Sequence, residues 1–250
     1  MTAGLDIWWL LPAGLGAGLS GSVAGMASVV SYPALLAVGL NPLAANVTNT
    51  VALVFSGVGS TLGSRPELHG QGPQLRRWAP AAAAGGLVGA VLLLLTPARL
   101  FGTLVPVLIG LASLGVLVPR RPAQPGRARS RAWRVRMGAA VFSVAVYGGY
   151  FGAAAGVALL AIFLAVAWEN LARSTALRNV LLGVANGVAA LTFAIAGPVH
   201  WWDVLPLAGG FLVGARLGPI VVRRAPAWPL RVAISAGGVA LAVHLGLSAY

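Results

Sequence analysis

The chain has 250 residues, of which 58% are hydrophobic and only 8% are charged, and its formal net charge is +13. A water-soluble domain of this size cannot cover its surface with so few charged side chains, so the composition excludes a soluble globular protein. There is no cysteine, which also excludes disulfide bonds and thiol redox chemistry. The chain is therefore predicted to be an all-α polytopic membrane protein.

About eight apolar segments are long enough to cross a bilayer, which takes roughly 20 residues in a helix. In chain order they cover about 7–29, 46–64, 78–96, 99–118, 138–167, 174–196, 203–222 and 231–249. The first and fifth segments are long and rich in glycine, which predicts a broken or re-entrant stretch in each. Asp6 and the absence of Lys or Arg before the first segment argue against a signal peptide.

Short matches between the two halves of the chain indicate an internal duplication. A triplet of glycines recurs at the same spacing in the first and fifth segments. These are Gly18, Gly21 and Gly25 in the first half and Gly149, Gly152 and Gly156 in the second. Two more matches follow in the same order, residues 49–58 with 179–188 and residues 85–90 with 210–215. Three colinear matches predict two homologous four-helix repeats.

The predicted domain organisation follows from this duplication. A first transmembrane repeat covers 1–118, an arginine-rich linker covers 119–137, and a second repeat covers 138–250. All 17 Lys and Arg residues are arginine. Seven lie in the linker region: Arg120, Arg121, Arg127, Arg129, Arg131, Arg134 and Arg136. The positive-inside rule explains such a cluster as a cytoplasmic loop, which weighs against a nucleic-acid site.

The orientation predicted from eight spans is only partly consistent with this rule. Both termini and residues 65–77 would then be cytoplasmic together with the linker. Arg223, Arg224 and Arg231 follow the seventh span and would lie on the opposite side of the membrane, against the same rule.

Polar residues inside predicted spans are the first candidates for function, because burying them in a bilayer is costly. Such residues share one helical face on the second segment and one on the sixth. They are Asn46, Asn49, Ser56 and Ser60 on the second segment and Thr175, Asn179 and Asn186 on the sixth. Two interpretations stay open: hydrogen bonding between packed helices, or the lining of a polar path between the repeats.

The glycine triplets allow two similar interpretations. Gly21 and Gly25, like Gly152 and Gly156, have the small-residue spacing of close helix packing. A helix interrupted at these glycines would instead expose backbone N–H groups and a positive dipole end, which bind anions. Both interpretations can hold together.

The acidic residues indicate the charge of a substrate. There are four, all at or near predicted span ends: Asp6, Glu67, Glu169 and Asp203. A transporter of cations or protons usually buries a carboxylate in the membrane interior, and no clear candidate exists here. Arg178 directly precedes Asn179 and either reaches inward or extends to the membrane interface. An anion path is therefore favoured over a cation path.

One alternative is an intramembrane serine protease. The sequence Gly18-Leu-Ser-Gly21 fits the Gly-x-Ser-Gly pattern of rhomboid proteases, and His244 would supply the general base for Ser20. A nucleophile needs its base within hydrogen-bond reach, and six predicted spans intervene between these two residues. The duplication also leaves the second glycine triplet without a role in a protease, so this alternative is disfavoured.

The chain resembles the TauE/SafE family of sulfite exporters, also called the toluene sulfonate uptake permease family. Matching features in the first half are residues 18–25, Pro33, Asn41-Pro42, residues 45–53 and residues 85–89. In the second half they are residues 149–156, 176–181 and 197–203. The resemblance implies two homologous halves and the transport of small sulfur-containing anions such as sulfite or sulfonates.

We therefore expect a secondary transporter of small sulfur-containing oxyanions in the inner membrane, working by alternating access of two repeats, and not an enzyme. The expected binding residues are Asn46, Asn49, Ser56, Arg178, Asn179 and Asn186, with Gly21, Gly25, Gly152 and Gly156. The expected partners are a small anion and the lipid bilayer, without cofactor, metal or nucleic acid; a homo-oligomer stays open. A membrane scaffold or assembly protein, with no cavity between its halves, is the main alternative.

Overall fold

A computed structural model describes residues 7–97, 99–101, 104, 131–153, 155–166, 171–224 and 243. Within these residues the chain forms a 3-10 helix, Ile7–Trp9, and nine α-helices, without any strand. The helices are α1 Leu10–Ala24, α2 Ala27–Ala37, α3 Pro42–Gly63, α4 Arg65–Leu68, α5 Gly72–Leu95, α6 Arg131–Tyr150, α7 Ala155–Val166, α8 Leu171–Ala196 and α9 Trp201–Arg224. Among the described residues, five helices are long and apolar enough to cross a membrane: α1 with the preceding 3-10 turn, α3, α5, α8 and α9.

The chain is thus an all-α multi-pass membrane protein, as predicted. Most of the predicted fourth and eighth spans, 99–118 and 231–249, lies outside the described residues. The predicted fifth segment starts earlier than position 138, because α6 already begins at Arg131. Arginine side chains at a helix end can extend toward water while the helix enters the bilayer, so this basic stretch is compatible with a helix.

The first apolar segment breaks at Gly25, as its length and glycine content predict. Gly25 adopts a left-handed conformation with φ of +83°, and its N–H donates to Gly21 O at 2.8 Å. This arrangement ends α1, because a residue with a Cβ rarely adopts that conformation. Beyond the turn α2 folds back along α1, with Ala27 beside Gly21 and Val30 beside Gly16. The two helices form the first hairpin, with Gly25 at its tip.

The fifth apolar segment is interrupted in the same manner. α6 ends at Tyr150, and Gly152 follows with φ of +76°. Gly148 lies beside Ala155, so α7 also folds back along the helix before it. The hydroxyl of Tyr147 donates to Ala153 O at 2.7 Å and fixes the turn. These helices form the second hairpin, with Gly152 at its tip.

α9 packs closely against α1, the first helix of the chain. Gly210 lies beside Leu11 and Gly214 lies beside Leu15, in both cases with no room for a Cβ atom. The residue numbers increase together along this contact, so α1 and α9 run in the same direction. Small residues let the two backbones approach where large side chains would separate them.

α5 makes an equivalent contact with α6. Gly85 lies beside Phe142 and Gly89 lies beside Val146, again with no room for a Cβ atom. Residue numbers again increase together, so these two helices are parallel. Thus α5, the third long helix of the first half, packs against α6 of the second hairpin. In the same way α9, the third long helix of the second half, packs against α1 of the first hairpin.

α3 runs parallel to α9 and antiparallel to α8. Gly59 lies beside Leu212 of α9, and further along the same helix Gly63 lies beside Arg216. The contacts with α8 have the opposite order. Gly57 of α3 lies beside Gly183, whereas the earlier residue Val47 lies beside the later residue Gly197.

The two ends of the bundle differ in composition. The arginine end is where α3 finishes, α5 and α6 begin and α9 finishes; the basic residues there include Arg65, Arg76, Arg77, Arg131, Arg134, Arg223 and Arg224. At the opposite end, where α1 and α9 start, four tryptophans are exposed: Trp8, Trp9, Trp201 and Trp202. Tryptophan favours the membrane interface and arginine the cytoplasmic side, so these ends lie near the two membrane surfaces.

The eight-span prediction placed Arg223 on the wrong side of the membrane relative to residues 65–77. Arg223 Nε donates to Glu67 Oε1 at 2.7 Å, and its Nη2 donates to Gly63 O at 2.9 Å. Both groups therefore lie at the same end of the bundle. The physical reason is that each hairpin turns back at its glycine tip, so it does not add the single crossing that an unbroken span would add.

Candidate functional site

The tips of the two hairpins meet in the interior of the bundle. Gly25 and Gly156 are in direct backbone contact, and a Cβ on either residue would lie 2.6 Å from main-chain atoms of the other. Such a contact is possible only between glycines. The same two positions that match in the sequence duplication thus touch each other in the structure.

A cavity of about 60 Å³ lies between the hairpin tips, α3 and α8. Hydroxyl, amide and backbone groups supply its polar surface. Seven of the predicted site residues line it: Gly21, Gly25, Gly152, Gly156, Ser56, Asn179 and Asn186. Additional lining residues are Ser22, Ala27, Ser28, Leu53, Gly57, Ser60, Gly148, Ala155, Leu182 and Gly183. None of these described residues is acidic or basic.

Two helices begin at the wall of this cavity. Ala27 and Ser28, in the first turn of α2, and Ala155 and Gly156, in the first turn of α7, all line it. First-turn N–H groups have no partner within their own helix, and the helix dipole places partial positive charge there. The two breaks therefore present positive helix ends to one small volume without any formal charge.

Arg178 lies behind this wall and is fully buried, with an exposed fraction of 0%. Its Nη2 donates to Ser22 O at 2.7 Å and to Gly21 O at 3.1 Å, near the carboxyl end of α1. Its Nη1 donates to Gly156 O at 3.5 Å, in the second hairpin. Burial excludes the interpretation that Arg178 extends to the membrane interface. Its charge instead compensates the carbonyl end of α1.

Asn46 has a related role at the second hairpin. Its Nδ2 donates to Tyr150 O at 2.8 Å, at the carboxyl end of α6. Asn46 is fully buried and does not line the cavity, and its Oδ1 has no hydrogen-bond partner within the described residues. The carboxyl end of the first helix in each hairpin is thus bound by a polar side chain from another helix: Arg178 of α8 binds α1, and Asn46 of α3 binds α6.

Asn49 contacts the cavity wall indirectly. Its Nδ2 donates to Ser28 Oγ at 3.0 Å, and its Oδ1 accepts from Ser31 Oγ at 2.6 Å. Ser28 lines the cavity, whereas Asn49 is completely buried behind it. Asn49 therefore joins α2 to α3 and holds the Ser28 hydroxyl at the wall.

Ser28, like Ser22, is a polar lining residue that the sequence analysis did not name. It belongs to α2, a helix of 11 residues that is too short to be recognised as a separate element inside a long apolar segment. The spacing of Ser28 and Ser31 places both on one face of a helix, which is the signal that could have identified them.

The alternative functions find no support in this geometry. Ser20 donates its hydroxyl to Ala17 O at 3.1 Å, a local bond within α1, and His244 lies outside the described residues. A scaffold protein was expected to have no cavity between its halves, whereas a polar cavity is present.

Comparison with known proteins identifies the family. A family model described as Sulfite exporter TauE/SafE matches residues 10–245. The chain belongs to this family. A relative from Escherichia coli (strain K12), named "Probable membrane transporter protein YfcA", is 28% identical over 213 residues, covering 82% of this chain and 77% of the relative. Another from Sinorhizobium sp, "Probable membrane transporter protein ORF9", is 26% identical over 230 residues, covering 92% and 88%.

No solved structure matches the chain. The family assignment confirms the resemblance found in the sequence, and with the apolar helices it makes the chain a multi-pass membrane transporter and not an enzyme. The substrate and the binding residues of this TauE/SafE member are not given by the family assignment.

Proposed function

We propose that this TauE/SafE member transports small sulfur-containing oxyanions, such as sulfite, across the inner membrane and binds them in the cavity between the hairpin tips. The observation that carries the proposal is the chemistry of the lining. Two helix amino termini, four serines and two asparagines surround the cavity, and none of the described lining residues is acidic. Such a lining binds an anion through hydrogen bonds and helix dipoles.

The size of the cavity supports a compact anion. A cavity needs roughly 10–15 Å³ to hold one water molecule, and this cavity has about 60 Å³. It therefore has room for roughly four to six groups of that size. Sulfite and sulfate are of this order, whereas an aromatic sulfonate is much larger. We expect inorganic oxyanions to be preferred in the conformation described.

The packing of the helices supports two repeats related by inversion. The third long helix of each half packs on the first helix of the other half, α9 on α1 and α5 on α6. α3 and α8, the corresponding second long helices, are antiparallel. Inverted repeats that meet at a central site are typical of secondary transporters, in which each half alternately opens one side. We propose this mechanism here.

The proposed membrane orientation follows from the arginine end. The described arginines near the end of α3, the start of α6 and the end of α9 share this end of the bundle. The positive-inside rule then places the arginine end in the cytoplasm and the tryptophan end outside. In this orientation Arg223 no longer violates the rule.

The transport proposal is tested with purified protein in proteoliposomes. Wild-type protein is expected to carry sulfite, with sulfate and thiosulfate as competitors and toluenesulfonate as a much weaker one. Asn179→Leu removes a lining donor and is expected to abolish flux, whereas Arg216→Gln, at an exposed position of α9, is the matched control. Absence of flux of every oxyanion by wild-type protein, or full flux by Asn179→Leu, would contradict the proposal.

The orientation is tested by cysteine labelling, which is specific for the introduced residue because the native chain has no cysteine. His200→Cys, between α8 and α9, is expected to react with an impermeant maleimide in intact spheroplasts. His69→Cys and Arg224→Cys, both exposed at the arginine end, are expected to react only after permeabilisation. Reaction of His69→Cys and Arg224→Cys from opposite sides would refute the inverted arrangement.

A further inference from the structure

Arg178 fixes the orientation of the Asn179 side chain. Asn179 Oδ1 accepts hydrogen bonds from Arg178 Nε at 3.0 Å and from Arg178 Nη2 at 2.8 Å. A carboxamide has an acceptor oxygen and a donor NH₂ group, and the two exchange places when the amide flips. A guanidinium has only donors, so a flipped amide would bring N–H groups against N–H groups. Only one orientation of Asn179 is compatible with Arg178.

In this orientation the NH₂ group of Asn179 is the part available to a ligand. One of its two N–H bonds is used by Ser22 O, 3.2 Å from Nδ2. The second finds no protein acceptor in the described part of the chain. Because Asn179 lines the cavity, this N–H is a donor for an occupant, while the carbonyl oxygen is held on the arginine side.

Arg178 itself is held away from the cavity by its remaining contacts. Its Nη groups donate to Gly21 O and Ser22 O in the first hairpin and to Gly156 O in the second. The guanidinium is fully buried and does not line the cavity. Its orienting effect on an occupant is therefore transmitted through Asn179.

The corresponding asparagine on α3 has no such constraint. Asn49 is bonded only to two serine hydroxyls, Ser28 and Ser31, within the described residues. A hydroxyl can donate or accept, so either amide orientation of Asn49 satisfies both serines. Of these two asparagines, only Asn179 on α8 therefore has an amide orientation that its partners fix.

We infer that Arg178 is a positioning residue that selects anions by locking Asn179 with its donor group toward the cavity. At Asn179 the wall then presents only a donor, which stabilises an oxyanion, and this side chain offers no amide oxygen to a cation or a protonated ligand. This inference rests on the proposed function and names the residue that sets the charge preference of the same site.

The test is a double-mutant cycle on sulfite affinity in the purified full-length protein. Arg178→Gln and Asn179→Ala are each expected to weaken binding about 10- to 100-fold, the effect of losing a hydrogen bond to a charged group. The double variant is expected to bind sulfite no more weakly than the weaker-binding single variant, because both changes remove the same donor, the Asn179 N–H that faces the cavity. Effects that multiply in the double variant would show that Arg178 acts independently of Asn179, and would overturn the inference.

Arg178→Lys separates positioning from charge and covers the case in which Arg178→Gln does not fold. Lysine keeps the positive charge but cannot present two N–H groups in a fork to one oxygen. It is expected to bind sulfite as weakly as Asn179→Ala, while elution volume and melting temperature report its folding. Wild-type affinity in Arg178→Lys would overturn the positioning role.

Failure of the proposed function gives a different result. Wild-type protein that binds neither sulfite, sulfate nor thiosulfate would refute the oxyanion site as a whole. Wild-type binding combined with multiplicative effects in the cycle would refute only the role of Arg178. The exposed-site variant Arg216→Gln is expected to bind sulfite with unchanged affinity and serves as the control for a general loss of arginine.

Discussion

The two hairpins break at equivalent places but satisfy their helix ends with different chemistry. At the first, the buried guanidinium of Arg178 donates to Gly21 O and Ser22 O, and also bridges to Gly156 O in the other hairpin. At the second, the neutral amide of Asn46 makes one bond, to Tyr150 O. Exposed carbonyls at a helix end inside a membrane need a donor, but that donor need not be charged.

The difference indicates which hairpin is held more firmly. Several hydrogen bonds from a charged donor fix the carboxyl end of α1, and charge-assisted bonds are about twice as strong as neutral ones. At the second break two neutral side-chain bonds hold the turn: one from the Asn46 amide, whose oxygen lacks a partner in the described residues, and one from the Tyr147 hydroxyl to Ala153 O. If one tip moves during transport, we expect it to be the second.

Removing each donor gives the largest expected effect. Arg178→Met removes a charged donor from Gly21 O, Ser22 O and Gly156 O, and a hydrogen bond to a charged group contributes about 1.5–3 kcal/mol. Asn46→Leu removes the side-chain donor of Tyr150 O and is expected to cost about 1–3 kcal/mol, the cost of one unsatisfied buried group. Melting temperatures of the two variants in the same detergent measure the difference. An equal or larger loss for Asn46→Leu would mean that the first hairpin is not the more firmly held.

A change at the contact between the tips is expected to cost less than Arg178→Met. Gly25→Ala introduces left-handed strain of about 1–2 kcal/mol and an overpacked contact with Gly156 of about 1–3 kcal/mol. Gly39→Ala is the matched control, because Gly39 also has a positive φ but no atom within 4 Å of the added Cβ. The difference in melting temperature between the two variants measures the crowding at Gly25, where the added Cβ would meet Gly156, Val157 and Arg178 Nη1. Equal melting temperatures would mean that the two hairpins do not touch at Gly25.

The smallest expected effect concerns the ion pair that places α9 at the arginine end. The hydrogen bond from Arg223 lowers the pKa of Glu67 from its ordinary value of 4.5. A lowered pKa gives stability that is present above 4.5 and is lost as the pH falls through the folded-state pKa. Glu67→Gln is therefore expected to cost less than about 1 kcal/mol at pH 7.

The pH dependence provides the control for this last variant. The difference in melting temperature between wild type and Glu67→Gln is expected to disappear once the pH is below the folded-state pKa, because wild-type Glu67 is then neutral as well. A difference that persists at acidic pH would show that packing, and not the ion pair, explains the effect.

The breaks and several cavity residues were predictable from local sequence. Glycine at Gly25 and Gly152 permits a left-handed turn that other residues rarely adopt, so glycine-rich stretches in long apolar segments signal a break. Asn179, Ser56 and Asn186 were identified because polar groups in a bilayer are rare and costly. These signals depend on single residues and their immediate neighbours.

The direction in which each side chain points was not predictable in this way. Asn46, Asn49 and Arg178 satisfy the same rule for polar residues in a span, yet they bind backbone or serine groups behind the cavity wall. Ser28 became a lining residue only because α2 folds back beside α3. These outcomes depend on partners more than a dozen residues away, which no local pattern specifies.

From the sequence alone, composition and helix length predicted an all-α membrane protein and glycine-rich stretches predicted its breaks, because these are local properties. The TauE/SafE family and a transport function were predicted from the motif resemblance. Three features required the packed structure: the contact between the two hairpins, the shared end of Arg223 and Glu67, and the bonding of Arg178 to carbonyl oxygens instead of the cavity. A buried donor takes whichever acceptors the fold brings to it, and only the packed chain determines which those are.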